Sequence, residues 1–203
     1  MQEPFNITHN VDEANDDAKL MQRIATGDQR AFRDLMQRHL SRTVRLAARI
    51  LGSTGAAEDV AQEAFVRVWK HAGNWEDPKQ AGAKFTTWLY RIVLNLCIDE
   101  KRKRSFADID AIPERADETP DAEANMQRRE KAARVKAALA ELPERQRAAF
   151  VLCFYEDYSN KDAADMLGIS VKAIESLLVR ARRSLRDLLQ DEEENRKQGR
   201  AET

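Results

Sequence analysis

The sequence predicts an all-α fold: two small helical domains joined by an acidic linker, the C-terminal one containing a helix-turn-helix. Three observations carry this. Apolar residues recur at helical spacing from Lys19 onward, and alternating strand patterns are almost absent. Residues 105 to about 125 interrupt the pattern with Pro113, Pro120 and many acids, leaving only Phe106, Ile109 and Ile112 as larger apolar anchors. A chain of 203 residues, 42% hydrophobic and 34% charged, can supply two such domains.

The elements follow in order. Leu20, Ile24, Ala31, Phe32, Leu35, Met36 and Leu40 make one apolar stripe, which Val44, Leu46, Ala47, Ile50 and Leu51 extend until Gly52-Ser53-Thr54-Gly55 ends the run. Val60, Ala61, Ala64, Phe65, Val68 and Trp69 face inward on a second helix. After a loop over 73–82, Phe85, Trp88, Leu89, Ile92, Val93, Leu96 and Cys97 build a third, which runs into Lys101-Arg102-Lys103-Arg104. Three such helices can close one core. Beyond the linker, residues 126–142 resume a helix, Leu142-Pro143 stops it, and 144–155 form another with Ala148, Val151, Leu152 and Tyr155 on its apolar face. The C-terminal core is predicted as Leu139, Leu142, Phe150, Val151, Ala163, Leu167, Ile174, Leu178 and Leu185.

The net charge of -1 conceals a segregation. Residues 1–20, 105–128 and 190–203 are acidic, whereas 21–104 hold 16 bases against 9 acids and 129–189 hold 12 against 9. Two positive blocks joined and flanked by acidic segments suit contact with nucleic acid at two places. Cys97 and Cys153 sit in apolar patterns and are read as packed thiols of a cytoplasmic protein. His9, His39 and His71 have no ligand spacing to them, so neither metal nor cofactor is expected. No run is long and apolar enough to span a bilayer, and residues 1–20 lack a secretory signal's basic start and apolar stretch.

Residues 160–189, NKDAADMLGISVKAIESLLVRARRSLRDLL, outline the DNA reader. Ala163 and Ala164 permit close helix approach, Gly168 suits a left-handed turn, and Ser170 can cap the next helix and present its N–H groups to a phosphate. Residues near that helix start reach base edges: Lys172, Ala173, Glu175 and Ser176. Arg180, Arg182 and Arg183 hold phosphates. Glu175 can accept from cytosine N4, or form a surface ion pair with Lys172 or Arg182.

The first block has two further patterns. Asp59, Gln62, Glu63 and Val66 share one exposed side of DVAQEAFVRVWK, polar groups around a small apolar patch that suits protein docking. In FTTWLYRIVLNLCIDEKRKR, Phe85 and Trp88 can simply pack. Asn95, Asp99 and Arg102 nevertheless recur at helical spacing toward four bases, an arrangement fitted to unstacked bases and a sugar–phosphate backbone.

With LPERQRAAFVLCFYEDYSNKDAADMLGISVKAIESLLVRARRSL, these segments resemble the small two-domain sigma factors of bacterial RNA polymerase, the extracytoplasmic-function or group four class of the sigma-70 superfamily. The likeness covers about residues 19–189 in order. It implies a domain over 19–104 that binds core polymerase and the -10 element, and one over 129–189 that binds the -35 element. Asp59, Gln62, Glu63, Val66 and Arg67 would grip core polymerase, through its β′ clamp and β subunits. Trp88, Arg91, Asn95, Asp99 and Arg102 would face the melted -10 strand, with the 75–84 loop pocketing a flipped base. Ser170, Lys172, Ala173, Glu175, Ser176, Arg180, Arg182 and Arg183 would read the duplex -35 element. Many relatives carry bases at Glu175 and Leu177, so Glu175 is read as tuning base choice. The 105–128 linker would thread toward the polymerase active centre and RNA exit path. Residues 1–18, outside the shared pattern, are expected to be disordered or to help an inhibitor hold the domains together; 190–203 form a charged tail. The resemblance also implies no catalysis by this chain, an anti-sigma partner and a stress-response regulon. A helix-turn-helix regulator that binds operator DNA without polymerase is the alternative.

Overall fold

The computed structural model describes the backbone of residues 9–76, 84–107 and 123–201, and the side chains of 16–76, 84–102 and 132–190. Among these the fold is all-α, without a strand. The helices are α1 (His9–Ala25), α2 (Gln29–Leu51), α3 (Thr54–His71), a 3-10 turn at Ala72–Asn74, α4 (Phe85–Ala107), α5 (Glu123–Glu141), α6 (Glu144–Phe154), α7 (Asn160–Leu167) and α8 (Val171–Ala201). They form an N-terminal cluster, α1–α4, and a C-terminal cluster, α5–α8.

The first apolar stripe, expected as one run to Leu51, is two helices. Gly27 adopts a left-handed φ of 87° and Asp28 caps α2, its Oδ1 accepting from the backbone N–H of Arg30 at 2.9 Å and Ala31 at 3.1 Å. Hydrophobic periodicity survives such a break because both helices face the same core, so the pattern alone does not show it. Gly52, at φ 78°, closes α2 as the sequence suggests, and Ser53 caps α3. Helix α1 starts at His9, inside the stretch expected to be a disordered acidic extension. Its Asp17 is buried, 2% exposed, because Arg38 Nη1 donates to Oδ1 at 2.7 Å and His39 Nε2 lies 2.9 Å from Oδ2. A carboxylate with two such partners can leave water. The composition registers the charge but not its partners.

Packing corrects a second expectation, that each domain closes its own core. Buried Met21, Leu35, Leu46, Phe65, Leu89, Val93 and Leu94 of the first cluster join Val151, Leu152, Met166, Ile174 and Leu178 of the second in one continuous apolar cluster. Among the described residues, Ala138, Leu139, Leu142, Ala181 and Leu185 form a separate satellite between α5, α6 and α8. Tyr155, assigned to the apolar face of α6, instead caps its C-terminus and is exposed, as is Phe154. The linker expected over 105–128 narrows, since α4 runs to Ala107 and α5 begins at Glu123; residues 108–122 lie outside the described residues.

Candidate nucleic-acid interface

The reader assembles by local rules. Ser159 Oγ accepts from the Asp162 N–H at 3.1 Å and starts α7. Gly168 ends it at φ 63°, where its N–H donates to the Ala164 carbonyl, and Ile169 tucks partly under the turn. Ser170 Oγ accepts from the Ala173 N–H at 3.2 Å, so α8 begins with a side-chain cap and its remaining N–H groups open to a phosphate. Ile174, Leu178, Ala181 and Leu185 are buried, which turns the opposite side of α8 to solvent.

Lys172, Glu175, Ser176, Arg180, Arg182 and Arg183 are exposed on α8, and Ala173 is half-buried at the flank. Lys172, Ser176 and Arg183 fall along one line opposite the core. Val179 lies on that line as well. At 64% exposure it is an apolar side chain standing among cations, and the sequence reading gave it no role. Its signal was present: a β-branched residue at an outward helical position gains nothing from the helix itself. The Ser176 hydroxyl donates to the Lys172 carbonyl at 3.0 Å, leaving its lone pairs for a donor. Glu175 makes no ion pair with Lys172 or Arg182 among the described residues, so the surface-pair alternative is not realised here. Arg182 instead lays its guanidinium over the Phe154 ring, 4.8 Å from the centroid, and Arg183 reaches Asp187 at 4.0 Å in an exposed pair.

On α4, Phe85, Leu89, Tyr90, Val93, Leu94 and Cys97 turn inward. Burial pushes the Cys97 thiol up to about 12, with Glu100 adding to the effect, so it is a packed thiol at neutral pH. Arg91, Asn95, Asp99 and Arg102 form one exposed stripe at helical spacing, in which Asp99 pairs with Arg102 at 3.6 Å. Trp88 is half-buried beside Phe85, ring centroids 6.3 Å apart, so it packs and stays partly exposed. The loop expected to pocket a base has Trp75 half-buried at one end, but its residues 77–83 lie outside the described residues.

On α3, Asp59, Gln62, Glu63 and Val66 share an exposed face, with Val66 42% exposed. Arg67, half-buried, donates from Nε to Glu63 Oε1 at 2.8 Å; this bond, helped by the charges of Arg67 and Lys70, holds the Glu63 carboxyl below its ordinary value. Thus the structure keeps the three residue sets on three helices, each exposed.

The sequence reading missed what lies between the two clusters. Glu156, just past α6, accepts from Arg42 Nε at 3.1 Å and from Arg49 Nη1, both on α2. Arg42 lies over both Tyr90 and Tyr158, 5.9 and 5.8 Å from the ring centroids, and those rings meet edge to face. Burial works against the Arg42 cation, but Tyr90, Tyr158 and Glu156 outweigh it and raise its pKa. Arg147, 1% exposed, donates to the carbonyls of Ile50 at 2.6 Å, Leu142 at 2.9 Å and Ala140. These partners are up to 114 positions apart in the chain, and no local motif links them.

A basic helix-turn-helix docked on a second helical domain with an aromatic–basic helix suits a protein that contacts nucleic acid through more than one helix. Residues 20–107 match the family described as Sigma-70 region 2, and residues 132–185 the family described as Sigma-70, region 4. The chain is 36% identical over 172 residues to the ECF RNA polymerase sigma factor SigE of Mycolicibacterium smegmatis, covering 81% of this chain and 65% of the relative. It is 34% identical over 189 residues to the RNA polymerase sigma factor CnrH of Cupriavidus metallidurans, covering 88% and 96%. The solved structure of CnrH in complex with the cytosolic domain of CnrY superposes with a TM-score of 0.63 at 32% identity, covering 87% of this chain and 98% of that one. The chain belongs to the extracytoplasmic-function, or group four, RNA polymerase sigma factors of the sigma-70 superfamily.

Proposed function

We propose that this sigma factor binds core RNA polymerase through α3, directs it to a two-element promoter and promotes opening at -10, within a stress-response regulon held by an anti-sigma factor. The observation that carries this is one chain with three separately exposed surfaces in the family's order: an acidic–apolar face on α3, the Arg91–Asn95–Asp99–Arg102 stripe on α4 and the basic face of α8. The α3 face suits protein docking because Val66 offers apolar area inside a polar rim. The α4 stripe combines hydrogen-bonding side chains and cations with the partly exposed Trp88, which suits a strand whose bases have been unstacked. Lys172, Ala173, Glu175 and Ser176 read base edges in the -35 major groove, while Arg180, Arg182 and Arg183 hold its backbone.

RNA synthesis belongs to the polymerase, and this chain supplies position and strand separation. Control by an anti-sigma factor is supported by a solved relative described as the sigma factor RpoE with the anti-sigma factor NepR from Bartonella quintana, 26% identical to this chain with a TM-score of 0.60. Among the described residues no helix is long and apolar enough to cross a membrane. Run-off transcription with purified core polymerase tests the reading: a promoter-specific transcript above core alone is expected. Tight operator binding by the free chain, with no such transcript, would instead favour a stand-alone regulator.

A further inference from the structure

Asp17 is a buried carboxylate on α1 that none of the three exposed faces uses. Its Oδ1 accepts from Arg38 Nη1 at 2.7 Å and its Oδ2 lies 2.9 Å from His39 Nε2, both partners on α2. Burying such a group adds little net stability over apolar packing, because the charges must first leave water. Its bonds are directional, however, and they hold α1 on α2 in a single register. His39 is buried too, and the Thr43 hydroxyl donates to its carbonyl at 2.9 Å.

From His39 the contacts lead to the -10 helix. The His39 ring lies against Phe85, with centroids 5.1 Å apart and planes at 58°. Phe85 is buried and is the first residue of α4, where it meets Trp88 less than one turn on. Trp88, Arg91, Asn95, Asp99 and Arg102 follow one another at steps of three or four residues, so they share one side of α4. A rotation or slide at Phe85 carries that whole row with it. Helix α1 also packs on the 3-10 turn at Ala72–Asn74 and on α4 itself. It therefore braces the chain just before Trp75 and again where α4 starts. This run of side-chain contacts passes through α1, α2 and α4 and includes no residue of α7 or α8.

We propose that Asp17 and His39 are positioning residues for capture of the melted -10 strand: through Phe85 they set the placement of Trp88 and of the row behind it. This rests on the sigma reading above and deepens it at the -10 element. Both side chains are buried, so neither touches the strand. Because they act along one route, their effects are shared rather than additive.

The test uses the full chain assembled with core polymerase and carrying Asp17→Asn, His39→Gln or both. Asp17→Asn keeps the shape and removes the charge. His39→Gln keeps an N–H donor for Asp17 but removes the ring from Phe85, so a role confined to fastening α1 would not register it. Asp28→Asn is the control, since it weakens a cap of α2 that takes no part in these contacts. Circular dichroism reports helix content, a labelled single-stranded -10 oligonucleotide reports capture, and 2-aminopurine in the -10 element of a duplex promoter reports unstacking. Both single variants are expected to keep parental helix content and affinity for core polymerase, to bind the strand several-fold more weakly and to unstack fewer bases. The double variant should be no weaker than the weaker single one, and Asp28→Asn should capture the strand as the parent does. Parental strand binding by either single variant, an equal loss in Asp28→Asn, or losses that multiply in the double variant overturn the positioning role alone. Should Asp17→Asn lose helix, His39→Gln against Asp28→Asn decides. A parent holoenzyme that binds no -10 strand overturns the sigma reading and the positioning role with it.

Discussion

Glu175 stands between exposed Val171 and Val179 on successive turns of α8, with no cation holding its carboxylate among the described residues. A carboxylate left unpaired on a reading face can accept from a cytosine amino group, whereas Arg183 on the same face serves as a movable charge. The two therefore fail differently. Glu175→Ala is expected to relax base preference at one -35 position by about 1–3 kcal/mol. Arg183→Ala is expected to weaken binding across sequences and reduce the salt slope by about 1. Holoenzyme binding to a panel of -35 variants over a salt series separates them. Asp28 makes a residue-scale prediction about stability. Its bond from the Ala31 N–H, then the Arg23 side chain, lowers its pKa from the usual 3.8. A depressed folded-state value means that its stabilisation is present above the unfolded pKa and lost as pH falls through the folded one. Thermal melts from pH 6 down to pH 2 should show a smaller acid-induced loss for Asp28→Asn than for the parent.

At the scale of elements, caps decide where helices stop and therefore where the reading face starts. Gly168 sits at φ 63°, and a Cβ there meets only the far end of Arg91 at 3.5 Å, an ordinary contact. The cost of Gly168→Ala is thus backbone strain rather than collision, about 1–2 kcal/mol. Urea denaturation should show that shift in midpoint with an unchanged slope; no shift would mean that the turn relaxes. The glycine turns at 52 and 168 and the Ser170 cap were legible because each of their contacts joins residues three or four apart. The Thr26-Gly27-Asp28 break was legible in principle too, as glycine followed by a capping acid. It was hidden by apolar periodicity running through it.

For the whole molecule, the continuous core predicts shared cooperativity. Leu89 on α4 is fully buried in the cluster that spans both halves. Leu89→Ala should cost about 2–5 kcal/mol by lost contacts and cavity formation. The three tryptophans, Trp69, Trp75 and Trp88, all lie in the N-terminal half, while far-ultraviolet dichroism follows helices in both. Fluorescence and dichroism should give coincident unfolding curves for parent and variant, as one cooperative unit requires. Curves that separate would show the two halves unfolding independently. Arg147 belongs to this scale as well. Burial lowers its pKa, yet its bond to the Ile50 carbonyl ties α6 to the end of α2 across the molecule.

Helical periodicity, the charge blocks and the three ordered segments were enough to place this chain among the sigma factors and to mark its exposed faces. Those features arise from neighbours three or four residues apart, so they are written locally. The docking of α1 through Asp17, the merged core and the Glu156–Arg42–Arg49 junction depended on the tertiary structure. Each joins side chains that are far apart in the chain, and an acid or an arginine looks the same in sequence whether it ends in water or against a distant partner.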